Sequence, residues 1–174
     1  MNASQLKAAV AAQLPELVAI RRHLHAHPEL SGNEHQTAAL VAGELRGLGW
    51  RVQEGVGRTG VLAELGPEQH ASVVALRVDM DALPVEERSG VPFASVHQGL
   101  MHACGHDIHT TVGLGVARLL APLADQLTAR VRLLFQPAEE TAQGAAWMLA
   151  DGAMEGVEAL FGVHAVSYTH LTLP

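Results

Sequence analysis

From Ser72 to Val163 the chain alternates short apolar runs with stretches of helical periodicity, and few architectures accept that order. Ser72–Val78 is almost continuously apolar, as expected of a strand buried on both faces. After a long connection, Val112, Val116, Leu119, Leu120 and Leu123 recur at helical spacing. Val131–Phe135 reads as a strand, Gly144–Ala150 as a helix and Ala159–Val163 as another strand. Strand–helix–strand–helix–strand predicts an α/β fold with a parallel sheet covered by helices. Ligands of such sheets bind beyond the carboxyl ends of the strands.

The part before this unit is less regular. Residues 4 to 27 read as a helix, with Leu14, Leu17, Val18 and Leu24 on its apolar positions and Pro15 placed near a first turn. It should stop at His27-Pro28, because the residue before proline disfavours helix. A second helix fits 34 to 48, where Ala38, Val41, Ala42, Leu45 and Leu48 share a face. Two short strands follow, near Trp50–Glu54 and Val61–Leu65, with Gly55, Gly57 and Gly60 between them.

Composition limits the partners. At 174 residues the length prior is one domain. The chain is 48% hydrophobic but only 3% aromatic, so packing rests on Val, Leu and Ala. A net charge of −7, without basic clusters, argues against nucleic acid or an anionic membrane as the main partner. Cys104 is the single cysteine, which excludes an internal disulfide framework and fits a reducing, cytoplasmic setting. No segment supplies the ~18 apolar residues of a membrane span. The Ala-rich start lacks a basic flank and is interrupted by Gln13, Pro15 and Glu16, unlike a secretion signal.

Three strand ends carry polar residues with no evident structural need. Arg77-Val78-Asp79-Met80-Asp81 ends the first, Gln136-Pro137-Ala138-Glu139-Glu140 the second and Gly162-Val163-His164 the third. The long connection holds MHACGHDIHT, residues 101 to 110, with His102, Cys104, His106, Asp107 and His109. Thiolate and imidazole donors mixed with carboxylates suit a divalent transition metal better than calcium or magnesium. Each residue also has an ordinary reading. Cys104 fits a small buried hydrophobe, and His164 a hydrogen-bonded structural histidine. Glu139 and Glu140 fit the acidic first turn of a helix, Asp79 and Asp81 turn residues. What weighs against the ordinary readings is that all would have to coincide at one sheet edge.

The chain has eleven histidines, as many as Lys and Arg together. His23, His25 and His27 are spaced by two and scatter around a helix, which argues against a metal cluster there. His35, His70 and His97 read as surface or loop residues. No G-x-S-x-G elbow, phosphate-binding loop, H-E-x-x-H or paired C-x-x-C is present, and Gly113 and Gly115 lie inside a helical pattern.

RRHLHAHPEL, Glu34 followed by Thr37, ALRVDMDALP, MHACGHDIHT, FQPAEE and FGVHA occur in the order seen in the M20 metallopeptidases. Over residues 15 to about 165 the chain resembles the amidohydrolase branch of that family, with its hippurate, auxin-conjugate and N-acyl-amino-acid hydrolases. The resemblance implies a three-layer αβα sandwich with a mostly parallel sheet, cut short as a catalytic domain and lacking the lid domain. It implies two divalent ions, Mn²⁺ or Zn²⁺ with Co²⁺ or Ni²⁺ as alternatives. Cys104, His106, Glu140 and His164 would be ligands, Glu139 the general base acting on a metal-activated water, and Asp79 a nearby support. His102, Asp107 and His109 would lie no closer than behind the ligands. The implied reaction is hydrolysis of N-acyl amino acids or related small amides, in a homodimer joined through the absent lid. A cysteine-dependent hydrolase using Cys104 with His106, or a metal-binding module without turnover, are the competing readings. The native domain would run from 1 to 165. Residues 166–174 lack the family's proline and read as a non-native tail, so His170 receives no role.

Overall fold

A computed structural model describes residues 2–69 and 72–165. The expectations for His70 and for the tail 166–174 lie outside the described residues. Helix α1, Ala3–Ala26, begins at Asn2, whose side chain accepts from the Gln5 amide at 2.9 Å while the Gln5 side chain accepts from the Asn2 amide. This reciprocal cap starts the helix well before the expected proline turn. Pro15 therefore stands in mid-helix, a correction to its expected place near the first turn. The helix closes where expected, with the His27 amide donating to His23 and Leu24 just before Pro28.

Helix α2, His35–Gly47, buries Ala38, Val41, Ala42 and Leu45, the face its periodicity predicts. Strands β1, Arg51–Val56, and β2, Gly60–Leu65, form an antiparallel hairpin. Strand β3, Val73–Asp79, leads through a long loop to helix α3, His106–Leu120, and a 3₁₀ turn at Ala121–Gln126. Strand β4, Arg130–Gln136, helix α4, Gly144–Ala150, and strand β5, Val157–Gly162, complete the described chain.

The sheet order is β1-β2-β4-β3-β5. β4, β3 and β5 are mutually parallel, as the strand–helix–strand pattern predicts, and β2 joins β4 antiparallel, so the sheet is mixed. One core, with Leu45, Val61, Val78, Met80, Leu114, Leu133 and Phe135, lies between the sheet and helices α2 and α3. A smaller core with Ala75, Leu134 and Met148 lies under α4 on the opposite face. Helices on both faces make the three layers.

Two glycines set the distance of α3. A Cβ on Gly113 would stand 3.0 Å from the Phe135 ring and from Val78, and one on Gly115 would stand 3.2 Å from Leu17. The Gly-x-Gly is thus a packing device that seats α3 between the sheet and α1.

The crossover from β3 to β4 runs through α3, and that from β4 to β5 through α4 on the other face. Adjacent parallel strands whose connections leave on opposite faces open a crevice at their carboxyl ends. Asp79 and Gln136, paired in register, mark its floor.

Candidate metal centre

Val78 and Met80 turn into the core at the end of β3, and the alternating residues Asp79 and Asp81 face the crevice, both buried. Opposite them the chain enters α3. Gly105 has φ +87° at the helix start, a left-handed turn that L-residues rarely adopt. The helix begins at His106, earlier than the apolar pattern from Val112 indicates. Half of the expected loop 101–110 therefore lies on its first turns. His106 and His109, three residues apart, share a face, with ring centroids 5.4 Å apart.

The partners of His106 assign its protons. Its Nδ1 lies 3.2 Å from Asp81 Oδ1, and a carboxylate only accepts, so Nδ1 donates. Asp81 Oδ2 accepts from Ser31 Oγ at 2.6 Å and from the Glu140 amide at 3.0 Å. His106 Nε2 is left facing Asp79 at 3.6 Å, Glu140 at 3.7 Å and Glu139 at 3.8 Å. An imidazole held by a carboxylate at one nitrogen and free at the other is the arrangement of metal-binding histidines.

His109 is arranged differently. The Ala165 amide donates to its Nε2 at 2.6 Å, so Nδ1 carries the proton donated to Asp79 Oδ1 at 2.5 Å. Neither nitrogen remains free. Asp79 also pairs with Arg77, Nη1 to Oδ2 at 2.7 Å.

The ligand atoms of Cys104, His106 and Glu140 lie within 4.8 Å of one another. Among the described residues, buried Glu140 Oε1 has no hydrogen-bond partner. Burial, reinforced by Glu140, Glu139 and Asp79, pushes the Cys104 thiol up to about 11. That is the opposite of an activated nucleophile and disfavours the cysteine-hydrolase reading. A thiol, an orphaned carboxylate oxygen and a free imidazole nitrogen converging in a negative pocket fit a divalent cation. Asp79, His106 and His109 also cluster, but the engaged nitrogens of His109 leave that trio incomplete.

Charge follows these contacts. Burial alone would raise the pKa of Asp81, yet hydrogen bonds from His106, Ser31 and the Glu140 and Glu139 amides hold it down at about 2. Burial likewise opposes ionisation of Asp79, and His109, His106 and Arg77 together keep its pKa below the ordinary value. His106 is pushed up despite burial, chiefly by Asp81 and Asp79.

The expected residues do not all meet. Glu139 lies beside the trio with its side chain 39% exposed, against 19% for Glu140. His164 is exposed, its ring 5.7 Å from that of His109, outside the close group. His102 is buried, and neither ring nitrogen has a partner among the described residues. Asp81, expected as a turn residue, instead orients His106, and Asp-x-Asp at a strand end is the signal that places both carboxylates on one side. His25, missed from the sequence, reaches the wholly buried Asp107 at 2.7 Å, where Arg21 Nε joins at 2.9 Å. His23 is exposed near the end of α1 and His27, half-buried, caps it, with ring centroids 4.4 Å apart.

The family model "Peptidase family M20/M25/M40" matches residues 75–172. An N-acyl-L-amino acid amidohydrolase of Geobacillus stearothermophilus is 43% identical over 94% of this chain and 45% of its own length. An N-acetyl-L-cysteine deacetylase of Bacillus subtilis is 47% identical over 86% of this chain and 36% of its own. A Bacillus subtilis crystal structure, described as a dinuclear metal binding peptidase from the M20 family, superposes with a TM-score of 0.83. It is 42% identical, over 92% of this chain and 44% of that one. The chain thus spans less than half the length of these relatives.

Proposed function

The chain belongs to peptidase family M20/M25/M40, and from that premise we propose that it carries the metal-binding part of an amidohydrolase acting on N-acyl amino acids or related small amides. The observation that carries the reading is the convergence of Cys104, His106 and Glu140 with Glu139 uncommitted at their side. The names of the amidohydrolase and deacetylase relatives support the substrate class.

Cys104 as thiolate, His106 through Nε2, and Glu140 would hold metal, with His164 as a further ligand. Two divalent ions, Mn²⁺ or Zn²⁺ with Co²⁺ or Ni²⁺ as alternatives, would when bound make water more acidic and polarise the amide carbonyl. Asp81 holds the His106 ring by accepting from Nδ1. Asp79, braced by Arg77 and His109, adds negative charge 3.6 Å from His106 Nε2. Among the described residues the Glu139 side chain accepts no hydrogen bond, and it stands 3.8 Å from His106 Nε2. It can take a proton from the attacking water and hand it to the amine nitrogen as the C–N bond breaks. Adjacent carboxylates thereby divide the work, Glu140 binding and Glu139 moving protons.

Titration of the metal-free chain with Co²⁺ tests this reading. A thiolate-to-cobalt charge-transfer band is expected, absent in Cys104→Ser and reduced in Glu140→Gln. A chain that binds no Co²⁺, or binds it equally well without Cys104, overturns the assignment. Thiol alkylation that bound metal cannot slow would favour the cysteine reading instead.

A further inference from the structure

Glu34 is fully buried, yet it belongs to neither the donor cluster nor the charges around it. It precedes α2, and its side chain leaves that helix uncapped. Its oxygens serve three other segments. Oε1 accepts from the Gly32 amide at 2.9 Å and from the Ala138 amide at 2.8 Å, while Oε2 accepts from Thr59 Oγ1 at 2.5 Å. A buried carboxylate is tolerated where several donors replace its water.

The contact to Ala138 bears directly on the two residues after it. Ala138 has φ +48°, left-handed and unfavourable for a residue with a Cβ, and it immediately precedes Glu139 and Glu140. Such a conformation persists only where its surroundings over-determine it. Here the peptide groups on both sides of Ala138 are held. Its amide is held by Glu34, and its carbonyl accepts from the Gln143 and Gly144 amides at 3.2 and 3.1 Å. Two residues on, the Glu140 amide is held by Asp81. The Glu34 contact joins this turn to the β1–β2 connection and to the segment before α2.

We infer that Glu34 is a positioning residue of the metal centre: it holds Ala138 in the left-handed turn that directs Glu139 and Glu140 toward Cys104 and His106. The inference rests on the proposed metal centre and adds to it a residue remote from the ligands.

Three substitutions separate positioning from ordinary stability. Glu34→Ala orphans the Ala138 amide and frees the turn. Glu34→Gln keeps the Ala138 and Gly32 bonds through its oxygen, and its amide group donates to Thr59 Oγ1, which can accept. Thr59→Val removes the hydroxyl from the same buried cluster but leaves the Ala138 bond intact. Each variant is titrated with Co²⁺, unfolded in urea and followed by hydrogen exchange over residues 136–144. In Glu34→Ala the Co²⁺ affinity should fall by about tenfold or more, the loss typical when a partner behind a ligand is removed. Exchange over the turn should rise with it. Glu34→Gln should bind as the parent chain does. Thr59→Val should lose stability and keep its Co²⁺ affinity. A folded Glu34→Ala chain with parental affinity overturns the inference, as does a Thr59→Val chain weakened as much as Glu34→Ala. Should Glu34→Ala not fold, Glu34→Asp keeps the charge but withdraws it from Ala138, and parental affinity there overturns the inference equally. Failure of the parent chain to bind Co²⁺ overturns the metal-centre reading itself.

Discussion

Burial holds the His102 imidazole neutral, its pKa pushed down to about 4 from the ordinary 6.5, and neither ring nitrogen has a partner among the described residues. Between those values the unfolded chain binds a proton that the folded chain refuses. The associated stability is present above pH 6.5 and is lost as pH falls toward 4, a difference of about 3 kcal/mol. Urea midpoints of the metal-free chain should therefore drop over that interval, and His102→Leu should flatten the drop. Asp81 has the complementary task of orienting His106. Asp81→Asn replaces one acceptor oxygen with a donor, and Co²⁺ affinity should fall by about 10- to 100-fold, read from the charge-transfer band. Cys104, His106, Glu139 and Glu140 were legible as a set because ligand-type residues stood together after strand ends. Asp81, Glu34 and Asp107 were not, because their partners lie far along the chain and ordinary turn or cap chemistry explains such residues equally well.

Helix α3 shows what periodicity captures. Its middle and end were visible as an apolar stripe, but its first turns bury His106, Asp107, His109 and Thr110, polar side chains that each hydrogen-bond another segment, His106 through Nδ1 alone. No apolar pattern marks such a turn, so the expected loop ran too far. Pro15 misled in the opposite sense, a helix-start signal lying inside a helix that Asn2 begins. The seating of α3 governs where the His106 ring points. A Cβ at Gly113 would press on Phe135 and Val78 at 3.0 Å. Gly113→Ala should destabilise the chain by about 1–3 kcal/mol through overpacking. It should also weaken Co²⁺ binding as the helix lifts, both read by urea unfolding and metal titration.

Among the described residues β5 pairs with β3 alone, and Leu160 is 50% and Phe161 62% exposed, with Leu149 of α4 at 58%. Apolar side chains on an edge strand favour self-association. Light scattering after gel filtration should show concentration-dependent oligomers, and Phe161→Lys with Leu160→Glu should reduce them. The sequence by itself determined the alternation of strands and helices and the gathering of metal-donor residue types near the strand ends. Burial on both faces writes a continuous apolar run, and metal donors are few residue types. Tertiary structure alone decided the pairing of the β1–β2 hairpin with β4, the early start of α3 and the hydrogen-bond partners. It decided which imidazole nitrogen remains free, because a proton's place on a histidine depends on what stands opposite it in space.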